Sequence, residues 1–272
     1  MKTLIAGPWV GEFGWELFAW QAYVRTLAET HDKTIVISRK NSKAIYDDFA
    51  DQFVSHAPKG GLADSFFMYD VDIKSSLKEA LKSNNIALDE NTTVLLPRRL
   101  GNPPHTHFTR PIVFDDQHIL PKYICFGEKT KKQYDYIFHV RSRDLRKEDN
   151  WNIEKWKILK DLLKSDKIGC IGTKKESGWI EGTDDLRDVD LKDLFNILRN
   201  SSYAFGPSSG PMHLASLCGL PHVVWSIPQN KARYEENWNP LDTPILFLDK
   251  FKWHPTAGIV YKNFIKWRNK NV

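Results

Sequence analysis

The chain has 272 residues and a formal net charge of +5 at pH 7, so it is long enough for one large domain or two small ones. Its 41% hydrophobic and 27% charged residues are typical of a soluble globular protein. No apolar run is long enough to span a membrane, and no signal-peptide pattern stands at the N-terminus. The three cysteines lack metal-ligand spacing, so we expect reduced thiols in a cytoplasmic protein.

Strands and helices alternate through the first hundred residues. Apolar runs predict strands over residues 2–6, 33–38 and 92–97, and helical periodicity predicts helices from Trp15 onward and over residues 42–53 and 75–83. This alternation is typical of a parallel sheet that has helices on its faces.

Residues 98–121 interrupt this alternation. The segment contains four prolines, three histidines and three arginines, and it has little periodicity. A loop of this length is uncommon in a compact enzyme and is often functional. Arg98, Arg99 and Arg110 are candidates to face an anionic acceptor. We expect no metal at the histidines, because no cysteine lies nearby.

The most informative stretch is residues 201–226, SSYAFGPSSGPMHLASLCGLPHVVWS. It predicts a strand, a tight turn, a short helix over residues 212–217 and a second strand over residues 222–225. Serine is a good residue for capping a helix start, and proline is well tolerated at the first helical position. The unpaired N–H groups and the dipole of a helix that begins there would form an anion site.

This stretch resembles the nucleotide-sugar signature of the heptosyltransferase-like glycosyltransferases, which reads approximately D-S/T-G-P-M-H-L-A-x-A-x-G-x-P. Eight residues match that signature in order: Gly210, Pro211, Met212, His213, Leu214, Ala215, Gly219 and Pro221. Ser208 stands where the family has an acid. The resemblance implies that Ser208, Ser209 and the first four matched residues bind the donor.

A second segment, residues 139–156, resembles the phosphate-facing loop of the same family. The resemblance implies that Arg141 and Arg143 face the donor diphosphate, a role for which the guanidinium is well suited. Ion pairs with nearby acidic residues are the alternative for both arginines. A further strand over residues 167–173 contains a glycine turn at Gly172, beside which a nucleotide base can sit.

The loop after the first predicted strand is similar to the first loop of these enzymes. Its glycine spacing, G-x-x-x-G-x-x-G, differs from the G-x-G-x-x-G of dinucleotide-binding proteins. Where the family has a Gly-Asp pair, Gly14 is followed by Trp15, and the nearby acids are Glu12 and Glu16. The resemblance implies that one of these glutamates is the catalytic base, with Gly11 and Trp15 beside the acceptor.

The resemblance implies an α/β fold of the GT-B type, in which two Rossmann-like domains with parallel sheets face one cleft. We expect an acceptor-side domain over residues 1–128, a nucleotide-sugar domain over 129–255 and a C-terminal helix over 256–272. The implied reaction is inverting transfer of a sugar from a nucleoside-diphosphate sugar to an acceptor hydroxyl, without a metal or another cofactor. Asp70 and Asp72 have the spacing of a metal–diphosphate motif, but the family has no counterpart at that position.

Two acceptors stay open at this point. The resemblance points to a lipopolysaccharide-type glycan. Basic and aromatic residues near the implied cleft would instead suit a phage-type enzyme that glycosylates a hydroxymethylated DNA base in the cytoplasm of an infected bacterium. A non-catalytic nucleotide-sugar-binding module is a third alternative, because the family's aspartate is missing from both loops.

Overall fold

The chain folds into two compact units, Met1–Tyr123 and Ile124–Val272. The structure is a computed structural model that describes residues 1–9, 11–56, 72–97 and 120–270. The predicted boundary at residue 128 lies within the first few residues of the second unit. Within the described residues, no helix is both long and apolar enough to cross a lipid bilayer.

In the described residues of the first unit, four strands form a parallel sheet. Its elements in chain order are β1 Thr3–Ala6, α1 Phe13–Trp15, α2 Gln21–Ala28, β2 Lys33–Ser38, β3 Gln52–Ser55, α3 Ile73–Ser83 and β4 Thr92–Leu95. The strands lie in the order β3-β2-β1-β4, and every pair is parallel. A π-helical segment, Glu16–Trp20, joins α1 to α2.

The second unit is built on a parallel sheet of six strands. Its elements in chain order are β5 Tyr134–Phe138, α4 Ile153–Leu163, β6 Ile168–Gly172, β7 Asp184–Arg187, α5 Leu191–Arg199, β8 Ser201–Pro207, α6 Gly210–Leu217, β9 His222–Trp225, β10 Ile245–Leu248 and α7 Ala257–Arg268. The strands lie in the order β10-β9-β8-β5-β6-β7, and every pair is parallel.

The chain reverses its direction of travel across each sheet once. In the first sheet it runs outward from β1 to β3 and then crosses to β4 on the other side of β1. In the second it runs outward from β5 to β7 and then crosses to β8, from which it continues to β10. Open α/β sheets bind ligands beyond the carboxyl ends of the strands at such a reversal. The loops after β1, β5 and β8 are therefore the first places to look for a site.

The core of the second unit includes three tryptophans and the last helix. Trp151, Trp156 and Trp225 pack against one another with ring centroids 4.7–5.4 Å apart. Val260 and Phe264 of α7 are buried in the same cluster. The C-terminal helix that the sequence predicted therefore contributes to the core of the second unit.

Most predicted elements are present, but the helix predicted over residues 42–53 is wrong. A 3₁₀ helix, Lys40–Ile45, is followed by turns and then by β3, which pairs with β2. The Asp51 carboxylate accepts a hydrogen bond from the Thr34 backbone N–H at 2.7 Å, which ties the start of β3 to the neighbouring strand. Strand pairing and this contact outweigh the local helical pattern.

Three other segments differ from their local sequence pattern. The apolar run 123–126 is typical of a strand, but these residues form none. The polar run 229–238 is typical of a helix, but the structure has a 3₁₀ turn, Pro228–Asn230, followed by a π-helical turn, Arg233–Asn237. Strand β7 was not predicted, because a short polar edge strand carries little apolar pattern.

Candidate functional site

A buried histidine marks the reversal point of the second sheet. His139 directly follows β5 and is 5% exposed, and its backbone N–H donates to the carbonyl oxygen of Phe205 in β8. Nδ1 of His139 lies 2.8 Å from Oγ of Ser209, the residue that precedes α6. One side chain contact therefore joins the carboxyl ends of β5 and β8, where ligand sites form in folds of this kind.

The side chain of His139 occupies a slot that two glycines help to line. Gly172, at the end of β6, has φ +121°, and a Cβ there would come 2.0 Å from Oγ of Ser177 and 3.3 Å from Cδ2 of His139. At Gly206, a Cβ would come 2.7 Å from Sδ of Met212 and 3.2 Å from Cβ of His139. The predicted donor residue Gly172 thus allows Ser177 to approach the ring, whose Nε2 lies 3.3 Å from Oγ of Ser177.

Ser209 is held at the start of α6 by side chains from elsewhere in the unit. As the residue before the helix, it makes no capping bond with its own hydroxyl. Its backbone N–H donates to the Tyr234 hydroxyl at 2.9 Å, and that hydroxyl lies 3.3 Å from the Ser209 carbonyl oxygen. The N–H of Ser209, at the predicted anion site, therefore already has a partner. Gly210 and Met212 carry the N–H groups of the first helical turn, which have no acceptor within the helix.

His213 and Met212 are buried beneath this turn. The His213 ring stacks on Tyr234 with centroids 4.1 Å apart and an interplanar angle of 14°. It also makes a T-shaped contact with the Trp238 ring, with centroids 4.9 Å apart. Burial, with a further contribution from Arg233, lowers the pKa of His213 well below its usual value. The structure gives both residues a packing role, and direct contact with a donor stays a prediction for them. Ser208 and Pro211 are half-buried at the turn itself.

The two predicted diphosphate arginines have different surroundings. Arg141 is 3% exposed, lies 3.6 Å from the Asp149 carboxylate and has the Trp253 ring 6.0 Å from its guanidinium carbon. Arg141 therefore forms an internal ion pair with Asp149. Arg143 lies 3.7 Å from the exposed carboxylate of Glu176.

The backbone of Arg143 is clamped by one amide side chain. Oδ1 of Asn150 accepts from the Arg143 N–H at 3.1 Å, and Nδ2 of Asn150 donates to the Arg143 carbonyl oxygen at 2.8 Å. Its partner Glu176 is close to half exposed, and an ion pair that reaches solvent exchanges readily. Of the two arginines, Arg143 is the better placed to turn toward a ligand.

In the first unit, the loop after β1 packs around a buried tryptophan. Gly7 has φ +119°, and a Cβ there would come 2.1 Å from the Ile37 carbonyl oxygen, which also accepts the N–H of Trp9 at 3.0 Å. A Cβ at Gly11 would come 2.8 Å from the Trp9 ring. Gly11 therefore serves close packing within the loop, beside its predicted role at the acceptor.

Glu12 and Glu16 are placed differently. Glu12 is half-buried and stands at the start of α1, where its side chain makes no capping bond. Glu16 is fully buried and its two carboxylate oxygens accept four hydrogen bonds. The donors are Ser38 at 2.5 Å, Ser42 at 2.7 Å, Tyr46 at 2.9 Å and Arg39 at 3.0 Å. This geometry favours Glu12 over Glu16 as the base. Trp15, which lies between the two glutamates in the sequence, is half-buried.

The described residues bring together most of the predicted donor set. Around the carboxyl ends of β5, β6 and β8 the structure assembles the His139 slot, Gly172, Arg143 and the 208–213 turn. Arg98, Arg99 and Arg110 lie outside the described residues. The prediction missed His139, Ser177 and Tyr234; of these, only His139 carried a signal, as a polar residue that ends a buried strand.

Within the described ranges, no group of three or more His, Cys, Asp or Glu side chains is arranged to hold a metal ion. Asp72 accepts from the N–H and the hydroxyl of Ser75 and so caps α3. Its predicted partner Asp70 lies outside the described residues. Metal independence stays a prediction.

Comparison with solved structures identifies the fold. ADP-heptose lipopolysaccharide heptosyltransferase II of E. coli matches with a TM-score of 0.62 and 12% identity, over 100% of this chain and 99% of that one. E. coli heptosyltransferase WaaC with ADP matches with a TM-score of 0.57 and 12% identity, over 98% of this chain and 99% of that one. A family 9 glycosyl transferase from Veillonella parvula matches with a TM-score of 0.56 and 13% identity, over 91% of this chain and 85% of that one.

The chain has the fold of the GT-B glycosyltransferases. This finding confirms the α/β class and the two parallel sheets that the sequence predicted. No protein-family model matches the chain, and no curated protein matches its sequence. The likeness to the heptosyltransferases is therefore one of three-dimensional structure, at low sequence identity.

Proposed function

We propose that the protein is an inverting glycosyltransferase that moves a sugar from a nucleoside-diphosphate sugar to an acceptor hydroxyl. The observation that carries this proposal is the start of α6 at the reversal point of the second sheet, where His139 lies 2.8 Å from the Ser209 hydroxyl. Helix starts of this kind bind phosphate groups. The fold shared with a heptosyltransferase that was solved with ADP supports a diphosphate ligand there.

The donor diphosphate would be held without help from Arg141. In this proposal its oxygens accept from the N–H groups of Gly210 and Met212 and from the Ser209 hydroxyl, while Arg143 leaves Glu176 to neutralise charge. Donors placed in advance around the departing diphosphate stabilise the charge that develops as the sugar leaves. Gly172 leaves room beside the end of β6 for the nucleoside.

Glu12 would act as the general base. Inverting transfer requires removal of the acceptor proton as the oxygen attacks the anomeric carbon, and a half-buried carboxylate at a helix start can accept it. The four donors around Glu16 occupy both of its oxygens, which argues against Glu16 as the base. Gly11 and Trp15 flank Glu12 closely in the chain and would contact the acceptor.

The acceptor that we propose is a saccharide hydroxyl of a bacterial surface glycan. The support is that the similar structures are named as lipopolysaccharide heptosyltransferases. A hydroxymethylated base in phage-type DNA is the second candidate, favoured by the formal charge of +5 and by the basic residues Arg98, Arg99 and Arg110.

One assay tests activity and acceptor together. The protein is incubated with a panel of nucleoside-diphosphate sugars, alone, with a lipopolysaccharide-type glycan, or with duplex DNA that contains hydroxymethylated cytosine or uracil. Mass spectrometry then measures a hexose, heptose or pentose increment on each acceptor. We expect the increment on the glycan. A mass increment on the nucleosides of the DNA would instead show that the acceptor is a DNA base.

A binding experiment identifies the third alternative. A nucleoside diphosphate that binds at the site should raise the thermal midpoint in a concentration-dependent manner. Stabilisation by a nucleotide, without hydrolysis or transfer of any donor sugar, would show a non-catalytic nucleotide-sugar-binding module and would contradict the proposed activity.

A further inference from the structure

The imidazole of His139 connects two serine hydroxyls that come from different loops. Its Nδ1 lies 2.8 Å from Oγ of Ser209, and its Nε2 lies 3.3 Å from Oγ of Ser177. His139 and Ser177 are buried, whereas Ser209 is half-exposed at the helix start. A change at the buried end of this chain of three groups can therefore be passed to a ligand through Ser209.

The ring is neutral at physiological pH. Burial, with smaller contributions from Arg141 and Arg143, lowers the pKa of His139 to about 3. A neutral imidazole carries one N–H donor and one acceptor nitrogen. His139 consequently donates to one serine hydroxyl and accepts from the other. The serine that accepts from the ring keeps its own hydroxyl proton to donate to another group, and the tautomer of His139 determines which serine that is.

The tautomer determines what Ser209 can offer to a ligand. If Nδ1 carries the proton, it donates to Ser209, and the Ser209 hydroxyl can donate its own proton outward. If Nε2 carries the proton, the Ser209 hydroxyl must donate to Nδ1 and has no proton left for a ligand. Phosphate oxygens at neutral pH mainly accept hydrogen bonds, so only the first arrangement suits a phosphate.

The contacts of Ser177 and Ser209 hold both hydroxyls beside the ring. Ser177 packs over Gly172, and its carbonyl oxygen accepts from Nη1 of Arg187 at 3.0 Å, so its hydroxyl is held against Nε2 of the ring. The N–H of Ser209 donates to Tyr234. The hydroxyl is then the donor that Ser209 has available for a ligand.

We propose that His139 is a positioning residue, protonated at Nδ1 and accepting at Nε2 from Ser177, which directs the Ser209 hydroxyl proton toward a phosphate oxygen of the donor. This inference rests on the proposed function, because it names the group that the site orients. It assigns no proton transfer to His139. The reaction itself needs no change in the charge of the ring.

Substitutions at His139 separate positioning from packing. An asparagine amide can replace Nδ1–H, whereas a glutamine amide reaches the position of Nε2. We expect His139→Asn to bind a nucleoside diphosphate within about threefold of the wild type, and His139→Gln and His139→Leu to bind on the order of tenfold to a hundredfold more weakly, the effect of one charge-assisted hydrogen bond. If His139 serves only packing, nucleotide affinity should follow side-chain volume, and His139→Gln should then bind more tightly than His139→Asn.

His56 supplies a matched control. Its Nε2 lies 2.7 Å from Oγ of Ser76, so it is a histidine bound to a serine hydroxyl in the first unit. His56→Leu should leave nucleotide affinity unchanged. Equal affinities for the wild type and all His139 variants, measured by calorimetry, would overturn the inference.

A second measurement does not depend on nucleotide binding. In protein labelled with ¹⁵N-histidine, the ring nitrogen shifts of His139 should report a neutral ring protonated at Nδ1, and Ser177→Ala should weaken that preference. A ring protonated at Nε2 would overturn the inference even if the protein transfers sugar. Failure of the wild type to bind any nucleoside diphosphate, together with an Nδ1–H ring, would contradict the proposed function instead.

Discussion

The Tyr46 hydroxyl donates a 2.9 Å hydrogen bond to the Glu16 carboxylate, and both side chains are fully buried in the first unit. Burial and the neighbouring Glu16 raise the pKa of Tyr46 well above its usual value, so the hydroxyl stays protonated and remains a donor. A buried carboxylate is tolerable only when donors surround it. Glu16 therefore ties the π-helical segment to the end of β2.

Glu16→Gln is expected to reduce stability. The substituted amide would turn an N–H group toward hydroxyl donors and leave buried groups without partners, which costs about 1–3 kcal/mol. Urea unfolding should show a lower midpoint for this variant. Glu12→Gln is the control, and the free energy of unfolding should stay within about 0.5 kcal/mol of the wild type. Equal stabilities for Glu16→Gln and the wild type would contradict a structural role for Glu16.

Glu12→Gln is expected to abolish most transfer while nucleotide affinity stays the same. Loss of a general base costs on the order of 10²–10⁴ in turnover, and the base does not hold the donor. The measurements are kcat for transfer and Kd for the nucleoside diphosphate. Wild-type turnover in Glu12→Gln would rule out Glu12 as the base.

Gly172→Ala is expected to destabilise the second unit and to weaken nucleotide binding. The added Cβ would stand 2.0 Å from Oγ of Ser177 at φ +121°, so both the backbone and Ser177 must shift. Gly258→Ala is a matched control, because nothing lies within 4 Å of a Cβ at that helical position. Helix propensity predicts a gain of up to about 1 kcal/mol there. The opposite ranking in thermal unfolding would contradict the packing described around His139.

Acid is expected to destabilise the protein through its buried histidines. Burial lowers the pKa to about 3 for His139 and about 4 for His222, and well below the usual value for His213. Above about pH 6.5 neither the folded nor the unfolded state binds these protons. Below it the unfolded state takes them up and the folded state does not, which removes about 1.4 kcal/mol per pH unit for each histidine.

Urea unfolding at pH 7, 6 and 5 measures this effect. His222→Gln should be less stable than the wild type at pH 7 but should lose less stability on acidification. Parallel stability curves for the variant and the wild type between pH 7 and pH 5 would show that folding does not lower the pKa of His222.

The sequence predicted the fold well where local pattern and function coincide. The 201–226 stretch carries both a strand–helix–strand pattern and the donor signature, and the structure contains β8, α6 and β9 in that order. The helix prediction over residues 42–53 is wrong because Ser42 and Tyr46 turn inward and hydrogen-bond to Glu16. These contacts join residues more than twenty positions apart, and no local periodicity encodes them.

The same reasoning explains which site residues escaped prediction. Ser177 and Tyr234 lie in turns with no distinctive pattern. Ser177 is brought to His139 by the pairing of β5 with β6, and Tyr234 is brought to Ser209 by the pairing of β8 with β9. Glu12 and Glu16 are four residues apart and chemically identical. Only the burial of Glu16 by β2 and the 3₁₀ helix distinguishes the two.

The packing of α7 has a consequence for synthesis of the protein on the ribosome. The Phe264 ring contacts Tyr203 and Phe205 of β8, with centroids 4.9 Å away in each case, and Tyr136 of β5 at 6.0 Å. The second unit therefore cannot complete its core until residue 264 has left the exit tunnel. The four described strands of the first unit, β1 to β4, have all been synthesised by residue 95 and can pair while the second unit is still being translated.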